Sequence, residues 1–281
     1  MRNFGKLKVL SALACATWAC IPAVAQTSAP DQGEILSAFF GLNDSMRITV
    51  RTSGVCKGRG GRDGMPVIFS REIETKTLDA KDFQVTTAAG KVGAVRCVTL
   101  RPADEPGEMR TVLLIGDFGS DKDQPVRVEV TGEIRSRDGL VRFQGASAKV
   151  IPLEAGPTLV LAEVVPKASW TLGGAHDCPK EGLVTIVRAI WAGGVTKSSG
   201  GEISANEARK YRVTVRQKDG AMATVIPMAV GDLNDNDNNH ELCLDVAGTP
   251  ESVFFPAGLL KDPNGDLNPD TKIAVTLPRV N

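Results

Sequence analysis

Val126-Arg-Val-Glu-Val-Thr131 alternates apolar and polar residues one by one. Successive side chains of a strand point to opposite faces, so this stretch reads as a half-buried β-strand within 126–134. The same β-branched character recurs on both sides of it. Strands are predicted near 46–51, 66–69, 83–86, 93–100, 111–116 and 141–150. Arg62-Asp-Gly64, Ala89-Gly90, Pro102-Ala-Asp-Glu-Pro106 and Arg137-Asp-Gly139 punctuate them as turns. A second series follows near 158–165, 183–191, 211–216, 222–228, 242–245, 253–255 and 273–277. Lys218-Asp-Gly220 is a hairpin signal within it. Helical periodicity is confined to 34–40 and 204–210. The chain therefore reads as all-β, with short strands at the spacing of a β-sandwich.

Asp63-Gly-Met-Pro-Val-Ile-Phe-Ser-Arg-Glu-Ile73, Thr77-Leu-Asp-Ala-Lys-Asp-Phe-Gln-Val85 and Gly90-Lys-Val92 carry a resemblance. Together they look like the bacterial Ig-like domains of surface and exported proteins, with Val67 where that family often has isoleucine. The resemblance implies an Ig-like sandwich for the first half. It implies little about function, because such folds host many roles. Cys56 and Cys97 depart from the family pattern, which usually has no disulfide. The second half carries no such resemblance. Ile151-Pro-Leu-Glu-Ala-Gly-Pro157 interrupts the strand pattern, so two Ig-like β-sandwich domains are expected, at 26–152 and 153–281.

Residues 1–25 read as a signal peptide. Arg2, Lys6 and Lys8 precede an apolar run, and Ala23-Val24-Ala25 is a small-x-small cleavage site. No other run is long and apolar enough to span a bilayer, so no transmembrane anchor is expected in the mature chain. The full sequence balances 33 basic against 33 acidic residues. Removing the three leader cations leaves −3, with no basic surplus for nucleic acid. Of six cysteines, Cys56, Cys97, Cys178 and Cys243 lie outside the leader. An even number in an exported chain reads as disulfides. Four cysteines allow three pairings, and Cys56–Cys97 with Cys178–Cys243 keeps one bridge in each half.

Two segments concentrate side-chain oxygens. Asp262, Asn264, Asp266, Asn268 and Asp270 recur at every second position, the spacing with which calcium loops begin. The bidentate glutamate of an EF-hand is missing, and the same residues are also the default formers of Asx turns. Asp232-Leu-Asn-Asp-Asn-Asp-Asn-Asn239 is less regular and reads as an exposed, mobile acidic loop. The two histidines flank the second-half cysteines, in His176-Asp-Cys178 and His240-Glu-Leu-Cys243. As a reduced set these four residues would suit zinc, but export favours the disulfide. The bridge would then draw the two histidine segments together.

Catalytic signatures are sparse. Neither a Gly-x-Ser-x-Gly elbow nor a His-Glu-x-x-His pair occurs. Cys56-Lys-Gly-Arg-Gly-Gly-Arg-Asp-Gly64 is glycine-rich and basic, yet lacks a P-loop ending and reads as a tethered surface loop. Few aromatics are available as sugar platforms. The expectation is a periplasmic or secreted, non-catalytic binding or envelope-structural protein, calcium-stabilised at Asp262–Asp270. Its partner would be an envelope or extracellular protein or ligand. The alternative is a metal-dependent hydrolase built around His176 and His240.

Overall fold

The computed structural model describes residues 31–47, 55–235 and 237–277. The leader expected at 1–25 and most of the strand predicted at 46–51 lie outside those residues. The described chain is all-β. In the first half the strands are β1 (Asp31–Gln32), β2 (Ile35–Phe39), β3 (Asp63–Phe69), β4 (Phe83–Thr87), β5 (Val92–Thr99), β6 (Thr111–Asp117), β7 (Pro125–Val130), β8 (Val141–Arg142) and β9 (Ser147–Ile151). In the second they are β10 (Leu159–Val164), β11 (Thr185–Trp191), β12 (Thr196–Lys197), β13 (Arg212–Arg216), β14 (Met222–Val225), β15 (Ala229–Gly231), β16 (Asn239–Leu244), β17 (Thr249–Phe255), β18 (Leu260–Lys261) and β19 (Thr271–Thr276).

The first half closes on itself. Hydrogen bonds run round the order β2-β3-β6-β5-β4-β7-β9, and β2 completes the circuit by pairing in parallel with β9. A sandwich would leave two sheets with free edges; here seven strands form a barrel, which removes the edges. Register shifts at Ile35/Ser37, Thr86/Thr87 and Val95/Cys97 mark irregularities of the kind that bend strands round such a circuit. Val128 and Val130 are buried in this barrel, as their alternation predicts. Its core includes Phe69, which meets Phe143 edge-on at 4.9 Å and Phe83 at 6.4 Å.

The segment 34–40, read as helical, is strand β2. Its apolar residues serve a barrel wall: Ala38, Phe39 and Phe40 are wholly buried. The other helical expectation is met by the turn Ala205–Ala208, closed by a Ser204/Glu207 capping box.

The second half is an open eight-stranded sheet, in the order β14-β13-β17-β19-β10-β11-β16-β15. Trp191, Tyr211 and Phe255 pack at its centre, with Phe255 5.4 Å from Trp191 and 4.6 Å from Tyr211. Strands β11 and β16 differ from the rest. Every residue of β16, and all but the first of β11, is buried. Alternation sorts them into two faces. Val187, Ala189, Trp191, His240, Leu242 and Leu244 form one face, toward the aromatic core. Ile186, Arg188, Glu241 and Cys243 form the other.

Cys56 joins Cys97 across 41 residues, and Cys178 joins Cys243 across 65. One bridge braces the barrel; the other packs with Val165 and Ile186 against the second sheet.

Candidate metal centre

The face of β11 and β16 that carries charge is covered by the barrel. Arg188 and Glu241 stand opposite one another in the β11–β16 ladder. Their side chains meet at 2.8 Å, and both are nearly dry. The barrel loop between β5 and β6 reaches over them. Arg188 donates to the carbonyl of Gly107 at 2.7 Å and lies 3.5 Å from Glu108 Oε1. Gly107 has φ +96, and a Cβ there would sit 2.4 Å from Arg188 Nη1. The close approach requires glycine. Three residues on, Arg110 clamps Glu163 of β10 with contacts of 2.9 and 3.1 Å.

Beside this cross-half pairing lies a cluster of carboxylates. Glu108, Asp232, Asp235 and Asp237 each place an oxygen within 4.8 Å of the others. Glu108 is 1% exposed, Asp235 7% and Asp237 8%. The loop from β15 to β16 turns its acids inward through left-handed residues at Asp232 (φ 61) and Asn234 (φ 72). It is then pinned by its own side chains. Asp235 accepts from the Asp237 amide at 3.1 Å, and Asp237 accepts from the Asn239 amide and side chain at 2.7 Å each. Asn238 donates to the Trp191 carbonyl at 2.7 Å. The exposed, mobile loop read from the sequence is therefore mostly a buried one. The barrel loop covers it, and that cover is distant in sequence.

Electrostatics follow from burial. Loss of water, followed by the nearby Asp232 and Asp237 charges, pushes Glu108 up to about 11. Burial, then Asp235 and Asp232, pushes Asp237 up to about 8. Asp232 is also raised, again chiefly by burial, although contact with Glu108 works the other way. Glu241 is raised because burial outweighs Arg188. Burial disfavours the Arg188 charge, yet Glu108, Glu241 and Asp232 outweigh it and hold Arg188 firmly protonated. Five acids and one shared arginine leave an excess of negative charge in a dry place.

A cleft of about 840 Å³ opens beside the cluster, between barrel residues such as Phe39, Leu42 and Pro66 and the wall formed by Asp235, Asp237 and Asn238. Two of the four acids, Asp235 and Asp237, face this cleft.

The sequence-derived site at Asp262–Asp270 has a different character. Asp262 Oδ1 accepts from the amides of Gly265 and Asp266, both at 2.8 Å. Asn264 donates to Asp266 at 2.7 Å. Asn268 Oδ1 accepts from Leu259 and Leu260, and its amide group donates to Pro256 and Pro269. Asp270 accepts from Ala257 at 2.8 Å. Asp262 closes a local turn, while Asn268 and Asp270 tie the loop to backbone eight to thirteen residues earlier, at 256–260. One oxygen stands apart: Asp262 Oδ2 is buried without a hydrogen-bond partner, and burial raises Asp262 to about 6.

The histidines occupy unlike places. His240 Nδ1 lies 2.6 Å from the Tyr211 hydroxyl, which accepts from Trp191 Nε1 at 2.8 Å. Burial lowers His240 to about 4, so it is neutral. His176 is exposed. Cys243 is three residues from His240 along the strand, hence on the opposite face of the sheet. The bridge to Cys178 does not carry His240 to the surface where His176 lies. Among the described residues, neither histidine belongs to a group of three or more metal-capable side chains. In the glycine-rich loop, Arg62 is paired with Asp117, which also holds Arg96 at 3.0 Å.

No protein-family model matches the chain, and no curated protein matches it. Among solved structures it has a distant likeness to surface layer protein SbsC. Domains 1–6 of that protein align at 10% identity and TM-score 0.30, covering 87% of this chain and 26% of the other. Its N-terminal part aligns at 10% and 0.29, covering 87% and 44%. The rSbsC(31-844) form aligns at 10% and 0.29, covering 89% and 41%. The chain spans less than half the length of each. A likeness of this size assigns neither fold nor role.

Proposed function

We propose that this is an exported, non-catalytic protein with a binding or envelope-structural role, its barrel and its sheet docked as one body. The observation that carries the reading is the state of the cysteines. All four outside the leader are paired, one bridge to each half, as suits an oxidising compartment. The groups that chemistry would recruit are otherwise engaged: His240 is neutral in a Tyr–Trp chain, and the thiols are bonded. Among the described residues no helix is long and apolar enough to cross a membrane. The partner class is an envelope or extracellular protein or ligand. Calcium stabilisation belongs to this reading, and at Asp262–Asp270 it is supported by one atom, the unpartnered Asp262 Oδ2.

The test is expression of the full chain with its leader, followed by cell fractionation, thiol labelling and in-cell cross-linking. The expected result is a processed protein in the periplasm or medium, refractory to thiol labels and cross-linked to envelope material. A cytoplasmic protein with free thiols would overturn the reading.

A further inference from the structure

The acidic cluster contains two oxygens that the fold leaves without a donor. Glu108 Oε2 and Asp232 Oδ2 are both buried, and no N–H or O–H group outside the carboxyl pair itself reaches either. Glu108 is 99% withdrawn from solvent and points into the cluster from the other half of the molecule. A buried carboxylate oxygen without a donor is costly unless a proton or a cation sits beside it. Arg188 does not serve: it meets Glu108 only through Oε1, and it is shared with Glu241 and the Gly107 carbonyl.

We propose that Glu108, Asp232, Asp235 and Asp237 bind one divalent cation, with calcium the ion of best fit, and that this ion ties the barrel to the second sheet. The donors are all carboxylate oxygens, which suit a hard cation and not zinc. Calcium bonds of about 2.3–2.6 Å place opposite ligands roughly 4.6–5.2 Å apart. The four oxygens already lie within 4.8 Å of one another. Ionised, the four acids, Glu241 and the arginine they share sum to −4; a dication brings this to −2. Further ligands come from second carboxylate oxygens or from water on the cleft side, where Asp235 and Asp237 form the wall. The site does not depend on export, and nothing at Asp262–Asp270 contributes to it.

The test uses the mature chain, freed of metal with EGTA and returned to chelator-free buffer. Calcium chloride is titrated in by calorimetry, and thermal melts are run with and without it. One saturable site is expected. Tm should rise by roughly 5–10 °C when calcium is about a hundredfold above its Kd. E108Q should lose both the heat and the shift. In chelator E108Q should melt at or above wild type, because it removes the cost of protonating an acid that is ionised in the unfolded chain. That pair of opposite effects separates a lost site from a damaged fold. Absence of binding and of any shift with calcium, magnesium or manganese would overturn the proposal in favour of a proton shared by Glu108 and Asp232. A calcium shift that persists in E108Q and disappears in D262N would also overturn it, assigning the ion to the 262–270 turn.

Discussion

Gly107 and His240 show how single positions carry the architecture. Gly107 combines a left-handed backbone with contact against Arg188. Gly107→Ala should cost on the order of 1–3 kcal/mol, because both the strain and the clash must be relieved. A urea midpoint would report the loss, while Gly139→Ala, at a left-handed position with open space, controls for φ alone. His240 is neutral because it is buried. Its folded pKa lies below its unfolded value of about 6.5, so the unfolded state takes up the proton first. The stability tied to a neutral His240 is thus complete above pH 6.5 and is lost as pH falls toward 4. The full effect is on the order of 3 kcal/mol. The variant His240→Asn should show a shallower fall in Tm than wild type across that window. Parallel curves would remove His240 from the account of acid sensitivity.

At the scale of elements, the β11–β16 pair is the hinge of the whole arrangement. Its alternation sends His240 to the aromatic core and Glu241 to the interface one residue later. The Cys178–Cys243 bridge fixes the same strand from its charged face. It closes 65 residues, and loop entropy of that order is typically worth 2–4 kcal/mol. Cys178→Ala combined with Cys243→Ala should lower unfolding free energy by about that amount, measured in urea against the intact protein. Disulfides, most turns and the Lys218-Asp-Gly220 hairpin were legible in the sequence because they are local signals or simple pairings, whereas Asp63 and Gly64, read as a turn, open strand β3. Strand β2 was not, because its Ile-Leu-Ser-Ala-Phe run satisfies helical spacing as readily as a buried wall.

For the whole molecule, the interface between barrel and sheet is ionic and largely buried. Arg188, 5% exposed, faces Glu108 and Glu241 together. Removing one partner of a buried ion set leaves uncompensated charge, typically at 3–5 kcal/mol. Arg188→Met should show a loss of that size in denaturant titration. Adding Glu108→Gln to the same chain should recover part of it, because one of the stranded acids is gone. Strict additivity of the two changes would mean that they do not interact. The carboxylates of the 232–239 run were visible in the sequence, but their burial was not. Glu108 lies more than a hundred residues away, in a loop that carries no motif.

The sequence alone determined the all-β class, the division of cysteines and the turn chemistry. Those depend on alternation, on local backbone preferences and on composition, which are written in consecutive residues. Tertiary structure decided the rest: that seven strands of the first half close into a barrel, that His240 faces the core, and that Glu108 meets three aspartates from the other half. Each of these depends on which distant surfaces exclude water from one another, and burial sets whether an acid is a solvated turn residue or one that needs a cation.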